Sequence, residues 1–213
     1  MKITLIYDND AWQQGLEADW GFACLVEAQD TPPILFDTGA SGRILLNNMQ
    51  KLGIEPSSIP EVFISHAHGD HTGGLTAFLS ENPDAKVYIP NSCPRPRLAK
   101  EVISISGAKQ LHDNIYSTGE LKGIEQSMAV KIDKGIVVVD GCSHPGVGDI
   151  LKAASKFGDV YALVGGLHGF REFEVIKDLK YVCACHCTQY KEEIKSRYPD
   201  KWLEGGAGRV LEF

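Results

Sequence analysis

Residues 62–74 read VFISHAHGDHTGG: an apolar run, then three of the chain's seven histidines and an aspartate within six positions, then two glycines. No other feature restricts the fold as much. Val62, Phe63 and Ile64 need a core and the histidines need a cleft. A short buried strand over 62–66, a tight polar loop and a helix through Leu75, Phe78 and Leu79 satisfy both demands. His66, His68, Asp70 and His71 are then presented at the C-terminal end of a strand, where functional side chains converge in sheet-based folds. Imidazole and carboxylate are donors for zinc, iron or manganese. His66 and His68 can reach one cation from the same side of an extended turn, while Asp70 and His71, rounding into the helix, can reach a second. The bland alternative is a solvated loop that happens to be rich in histidine, and the H-x-H-x-D-H spacing behind an apolar strand disfavours it.

The rest of the chain predicts strands that alternate with helices. KITLIYD (2–8) alternates apolar and polar residues, and GFACLVEA (21–28) with PILFDTG (33–39) reads as a hairpin pair. Ile44, Leu45, Asn48, Met49 and Leu52 share one helical face that ends at Gly53. KVYIP (86–90) and ISISG (103–107) read as strands, although Pro94 and Pro96 leave 91–115 hard to place. SMAVKI (127–132) and GIVVVDG (135–141) form a hairpin around Asp133–Lys134–Gly135. Helix 146–158, strand VYALVGG (160–166), helix 171–180, strand YVCACH (181–186), helix 188–198 with Thr188 as N-cap, and strand 208–213 complete the expectation. With no linker and no low-complexity segment, the chain reads as one domain over 1–213. Its two strand-rich halves suggest two packed sheets with helices outside, a four-layer αββα sandwich of the α/β (α+β) class.

Beyond the cluster, three histidines follow strands. His144 lies in a Gly/Pro turn after a very apolar strand, and His186 ends YVCACH; both are expected to ligate metal. His168 ends a strand behind Gly165 and Gly166, glycines expected to let a ligand approach closely. Its open readings are metal ligand, phosphate contact and general acid, the last two preferred. His112 is expected in solvent. Cys183, Cys185 and Cys187 share a strand face opposite His186 and are expected against the helical layer rather than in a metal cluster. Arg95 and Arg97 read as solvated, with phosphate binding as the sharper alternative.

The cluster 66–71 behind a strand, preceded by a strand ending in LFDTG (35–39), resembles the metallo-β-lactamase superfamily. GCSHPG (141–146), GGLH (165–168) and HCT (186–188) resemble a branch labelled dihydropterin-linked ribofuranosylaminobenzene 5′-phosphate synthase. The resemblance spans essentially the whole chain. It implies the αββα sandwich and a one- or two-metal hydrolase site, with Asp37 supporting the metal loop without ligating. It makes Asp8, Asn9 and Trp20 candidates for contact with substrate or with the ligands. It also marks a departure. A family histidine position falls on Glu125 or Gln126, and the usual strand-end aspartate falls on Cys142, which is read as supporting the centre from behind, with direct metal ligation as the open alternative.

The expected activity is hydrolysis at two divalent metals, zinc first, with manganese or iron as alternatives. Such metals make water a nucleophile at neutral pH. Asp70 and His168 are the expected catalytic pair, and a phosphorylated small molecule, phosphodiester-like, the expected substrate. A pterin-pathway transferase and a non-catalytic metal or pterin binder are the rivals. The formal net charge of −7 argues against loose binding to nucleic acid or anionic membrane. There is no apolar stretch of roughly 18 residues and no signal-peptide pattern, so a cytoplasmic protein with reduced thiols is expected; homo-oligomerisation is open.

Overall fold

The computed structural model describes all 213 residues. Strands β1 (Lys2–Tyr7), β2 (Ala23–Glu27) and β3 (Ile34–Phe36) lead through helix α1 (Gly42–Lys51) to β4 (Glu61–Phe63). Helices α2 (Gly69–Thr72) and α3 (Leu75–Glu81) precede β5 (Lys86–Pro90), β6 (Glu101–Ile105), β7 (Lys109–His112) and β8 (Ile115–Ser117). Then come β9 (Met128–Ile132), β10 (Gly135–Asp140), α4 (Val147–Ala154), β11 (Val160–Gly166), β12 (Tyr181–Cys185), α5 (Lys191–Arg197) and β13 (Val210–Glu212). One sheet has the order β13-β1-β2-β3-β4-β5-β6 and the other β12-β11-β10-β9-β8-β7. In the first, β3 to β6 run parallel; in the second, β10 to β12 do.

Period-2 alternation assigns each strand residue to a layer. In β10, Val137 and Val139 join Leu5, Phe36 and Phe63 in the core between the sheets. Ile136 and Val138 face outward onto Ile150 and Leu151 of α4. On the other side, Leu45, Met49 and Phe78 of α1 and α3 cover Leu35 and Val62. The αββα sandwich is therefore realised as three apolar seams between four layers. No helix is long and apolar enough to cross a membrane.

Several local expectations are corrected. Helix 171–180 does not form; only a 3-10 turn at Phe173–Ile176 does. Its i, i+3 apolar spacing suits a 3-10 turn as well as a helix, and Ile176 and Leu179 reach the core without one. Thr188 does not cap α5, which starts at Lys191 after Tyr190. Its hydroxyl instead donates to Cys185 O and accepts from Leu167 N, tying β12 to the loop after β11. Residues 91–115 hold β6 and β7, and His112 is half-buried, bonded through Nε2 to Glu61 Oε2 at 2.7 Å. Cys183 and Cys185 face the core between the sheets, while Val182 and Ala184 face the helices.

Candidate metal centre

The parallel strands β3, β4, β10, β11 and β12 point their C-terminal ends to one edge of the sandwich, and most of the candidate residues lie past those ends. Asp37 follows β3, His66 and His68 follow β4, Cys142 and His144 follow β10, His168 follows β11 and His186 follows β12. Asp37, Ser143, His168 and His186 all have left-handed backbones, with φ of 54°, 58°, 45° and 45°. Each such conformation costs roughly 1–3 kcal/mol and persists only where the surroundings enforce it. The strain explains why alternation fails past the strand ends: the chain turns at His186, and both His186 and Cys187 reach the centre.

Two donor triads result. The first is His66, His68 and His144; the second is Asp70, His71 and His186; within each, the donor atoms lie within 4.8 Å of one another. His66 Nε2 and His68 Nδ1 face each other at 3.0 Å. His186 Nε2 stands 3.2 Å from Asp70 Oδ2. Nε2 of His144 is buried without a hydrogen-bond partner, and Nε2 of His186 is buried with no hydrogen bond aligned on it, although the Asp70 carboxylate lies 3.2 Å away. A buried polar atom without an aligned hydrogen bond is costly, and two of them aimed into adjacent triads fit a cation in each.

The surroundings set the tautomers. His71 Nδ1 donates to Asp37 Oδ2 at 2.7 Å, leaving Nε2 with its lone pair turned inward. Ser65 Oγ donates to the same carboxylate at 2.7 Å and meets His66 Nδ1 at 2.9 Å, so His66 also turns Nε2 inward. Ser65 N donates to Asp37 Oδ1. His186 Nδ1 meets Asn9 Oδ1 at 2.9 Å, and Trp20 Nε1 donates to Asp70 Oδ2 at 2.8 Å. Such outer partners fix ring orientation and donor strength.

Burial keeps the His66, His71 and His144 rings neutral. Burial, then neighbouring imidazoles, drives His66 far down; burial brings His71 to about 3 and His144 to about 4. The His186 imidazole beside it holds Asp70 well below the usual carboxylate range. Burial pushes the Asp37 carboxyl up, and burial raises Glu125 to about 7. Asp37, Glu125 and Asp140 are all fully buried, and none is paired with Lys or Arg. Buried acids without a cationic side chain are a further match to bound cations.

Some residues sit elsewhere than expected. Asp8 is buried beneath His186, accepting the backbone N–H of Asn9 and of His186, so it does not face a substrate. Asn9 likewise contacts His186, by its side-chain oxygen on Nδ1 and its amide on the backbone carbonyl. Trp20 does lie on the rim, 57% exposed, its ring centroid 4.9 Å from that of His186. His168 is exposed beside the first triad, 5.1 Å from His144 between ring centroids. Its glycines serve the backbone rather than a ligand: a Cβ on Gly165 would fall 1.9 Å from Asp140 O. Arg95 and Arg97 are exposed. Glu125 reaches no triad lone pair; its oxygens accept the backbone N–H groups of Cys142, Ser143 and His144 and so hold that loop in place. Sequence reasoning missed Ser65 and Cys187, whose roles depend on neighbours brought by other strands.

A model of the Metallo-beta-lactamase superfamily matches residues 21–150. The chain belongs to the metallo-β-lactamase superfamily. Over 99% of its length it is 27% identical to 95% of a Methanocaldococcus jannaschii protein, 7,8-dihydropterin-6-methyl-4-(beta-D-ribofuranosyl)-aminobenzene-5′-phosphate synthase. The solved structure of Tm1679, described as a metal-dependent hydrolase of the beta-lactamase superfamily, superposes with a TM-score of 0.82 at 25% identity, covering 100% of this chain and 99% of that one. Human tRNase Z, short form, shares the fold, with a TM-score of 0.65 at 15% identity over 100% of this chain and 99% of its own. Superfamily fold and donor clusters together support a metal-dependent hydrolase of the metallo-β-lactamase type.

Proposed function

We propose that the chain is a two-metal phosphoesterase acting on a phosphorylated small molecule, phosphodiester-like at the reacting centre. The observation that carries this reading is the pair of adjacent triads, each with one buried nitrogen on which no hydrogen bond is aligned. His66, His68 and His144 would hold one divalent cation and Asp70, His71 and His186 the other, zinc being the best match to imidazole and carboxylate donors. Bound there, the cations would supply a nucleophile at neutral pH and neutralise charge on a phosphoryl group. No triad residue is bonded to Lys or Arg, so the protein offers the phosphoryl group no cationic clamp of its own at the triads.

The chain's own residues do the rest. Asp37 and Ser65 hold His66 and His71 in the tautomers that turn Nε2 inward. Asn9 does the same for His186. Trp20 steadies Asp70 and offers its exposed ring to the non-reacting part of a substrate. His168, exposed and next to His144, donates a proton to the leaving oxygen. The zinc-loaded chain is expected to hydrolyse bis(p-nitrophenyl) phosphate. Failure to turn over any phosphodiester or phosphomonoester with the metals in place would reject the phosphoesterase reading.

A second reading has one specific support, the likeness to the M. jannaschii synthase along nearly the whole chain. The same triads would then bind a ribosyl 5′-phosphate compound that is joined to a dihydropterin rather than hydrolysed. Incubation of ribofuranosylaminobenzene 5′-phosphate with a 7,8-dihydropterin whose 6-methylene carbon carries a leaving group such as diphosphate, released as the new bond forms, separates the two. A coupled product without phosphoester turnover would favour the synthase.

A further inference from the structure

A cavity of about 170 Å³ opens beside the metal loop, and none of the six triad residues lines it. Its floor belongs to the apolar seam between the first sheet and helices α1 and α3: Ile64 past β4, Leu75 of α3, Ile89 of β5 and Cys93. Ala67 and Thr72 of the metal loop close one side, and Pro94, Arg95 and Pro96 close the other. His66 and His68 both turn their rings into the first triad, so the residue between them, Ala67, turns the opposite way, into the cavity. The cavity therefore lies behind the loop that carries two donors of that triad.

The chemistry of the wall selects an occupant. No carboxylate lines the cavity. Arg43 is the one arginine of the chain in a salt bridge, so Arg95, exposed on the cavity wall, is an unpaired cation. Glu120, which meets the same loop, accepts the backbone N–H of Ser92 at 2.8 Å and stays outside the cavity. Pro94 and Pro96 fix φ on both sides of Arg95, and a stiff loop loses less freedom when its guanidinium is engaged. An apolar cavity of about 150 Å³ takes up benzene, so this one has room for a single small ring. A guanidinium beside it suits a carboxylate on that ring, which it can meet through two parallel N–H···O bonds.

We propose that this cavity binds a small aromatic carboxylate, apart from the reacting centre, and that the occupant steadies the first triad from behind. The ring covers Ile64, Leu75 and Ile89, and the carboxylate meets Arg95. Thr72, on the same wall, donates to the His68 carbonyl through its hydroxyl at 3.0 Å and its backbone N–H at 3.1 Å. An occupant resting on Ala67 and Thr72 thus bears on both sides of His68, an exposed member of the triad. Occupancy of the cavity and a cation in the first triad then raise each other's affinity by the same factor. The binding site stands on the cavity itself; the coupling rests on the first triad being a metal position.

The test titrates the full chain with benzoate by calorimetry, metal-free and zinc-loaded, and follows the methyl resonances of Ile64, Leu75 and Ile89. The metal-free chain is expected to bind one benzoate and to shift those methyls, which excludes a carboxylate held by zinc. Arg95→Gln should weaken binding about tenfold. Thr76→Trp, at an exposed position on the cavity wall, should abolish it with zinc content unchanged. Acetate, the charge without the ring, and benzyl alcohol, the ring without the charge, should each bind more weakly than benzoate. Bound zinc should tighten benzoate about fivefold. No binding to the metal-free chain, binding that survives both substitutions, or methyl shifts confined to other residues would overturn the site. Equal benzoate affinity with and without bound zinc, or tightening that persists in Thr76→Trp, would overturn the coupling. A chain that takes up no zinc would sink the two-metal reading and the coupling together, while the metal-free titration still decides the site.

Discussion

The two triads differ in how firmly their donors are backed. In the second, every donor has a partner behind or beside it: Asp37 on His71, Asn9 on His186 and Trp20 on Asp70. In the first, only the His66 ring has a side-chain partner behind it, Ser65, while His68 is exposed and His144 is placed by its backbone N–H on the Glu125 carboxylate. Backed donors keep their geometry when a cation leaves, whereas unbacked ones lose order and must recover it on rebinding. Under the proposed two-metal reading, the difference predicts tighter retention at the second triad and easier exchange at the first, where the exposed His168 also stands. Asp37 is the residue common to both, directly through His71 and indirectly through Ser65 and His66.

His66→Ala is expected to have the largest effect. It removes one of three donors from the first triad, so activity should be lost together with that triad's ion, lowering metal content; full activity with full occupancy would break the assignment. His168→Ala should lower turnover by about 10²–10⁴ with both metals retained, as for loss of a proton donor. Metal lost in step with rate would instead make His168 a ligand of the first triad. Asp37→Asn should weaken metal affinity or activity by roughly 10–100-fold and should disturb both binding steps. Competition against a fluorescent chelator resolves the steps, and a change confined to one would refute the shared role. Asn9→Ala is expected to have the smallest effect, about tenfold on one step only, that of the second triad. An equal loss in both steps would erase the contrast.

The metal loop was legible in the sequence because its chemistry is local: four candidate donors within six residues, directly behind the apolar run that became β4. The layer architecture was legible for a similar reason, since alternation in strands such as GIVVVD divides residues between two seams without knowledge of partners. Alternation misled at the strand ends. Cys183 and Cys185 do share a face, but it is the face between the sheets, because His186 turns with φ of 45° and no longer reports the strand's phase. Asp37 was legible through family resemblance alone. Ser65, Asn9 and Cys187 act on atoms contributed by distant segments, and nothing local distinguishes such contacts from ordinary surface polarity or core thiols. Residues 171–180 carry a helical spacing that the chain resolves as a 3-10 turn, since strand β12 must begin at Tyr181.

The central claim is that the strand ends build two adjacent cation positions, and metal stoichiometry tests it most directly. The native chain, stripped with chelator and titrated with zinc under elemental analysis, is predicted to bind two ions. His144→Ala should retain the ion of the second triad, and His186→Ala that of the first. A native chain that saturates at one ion, or variants that each keep or each lose both, would contradict the account.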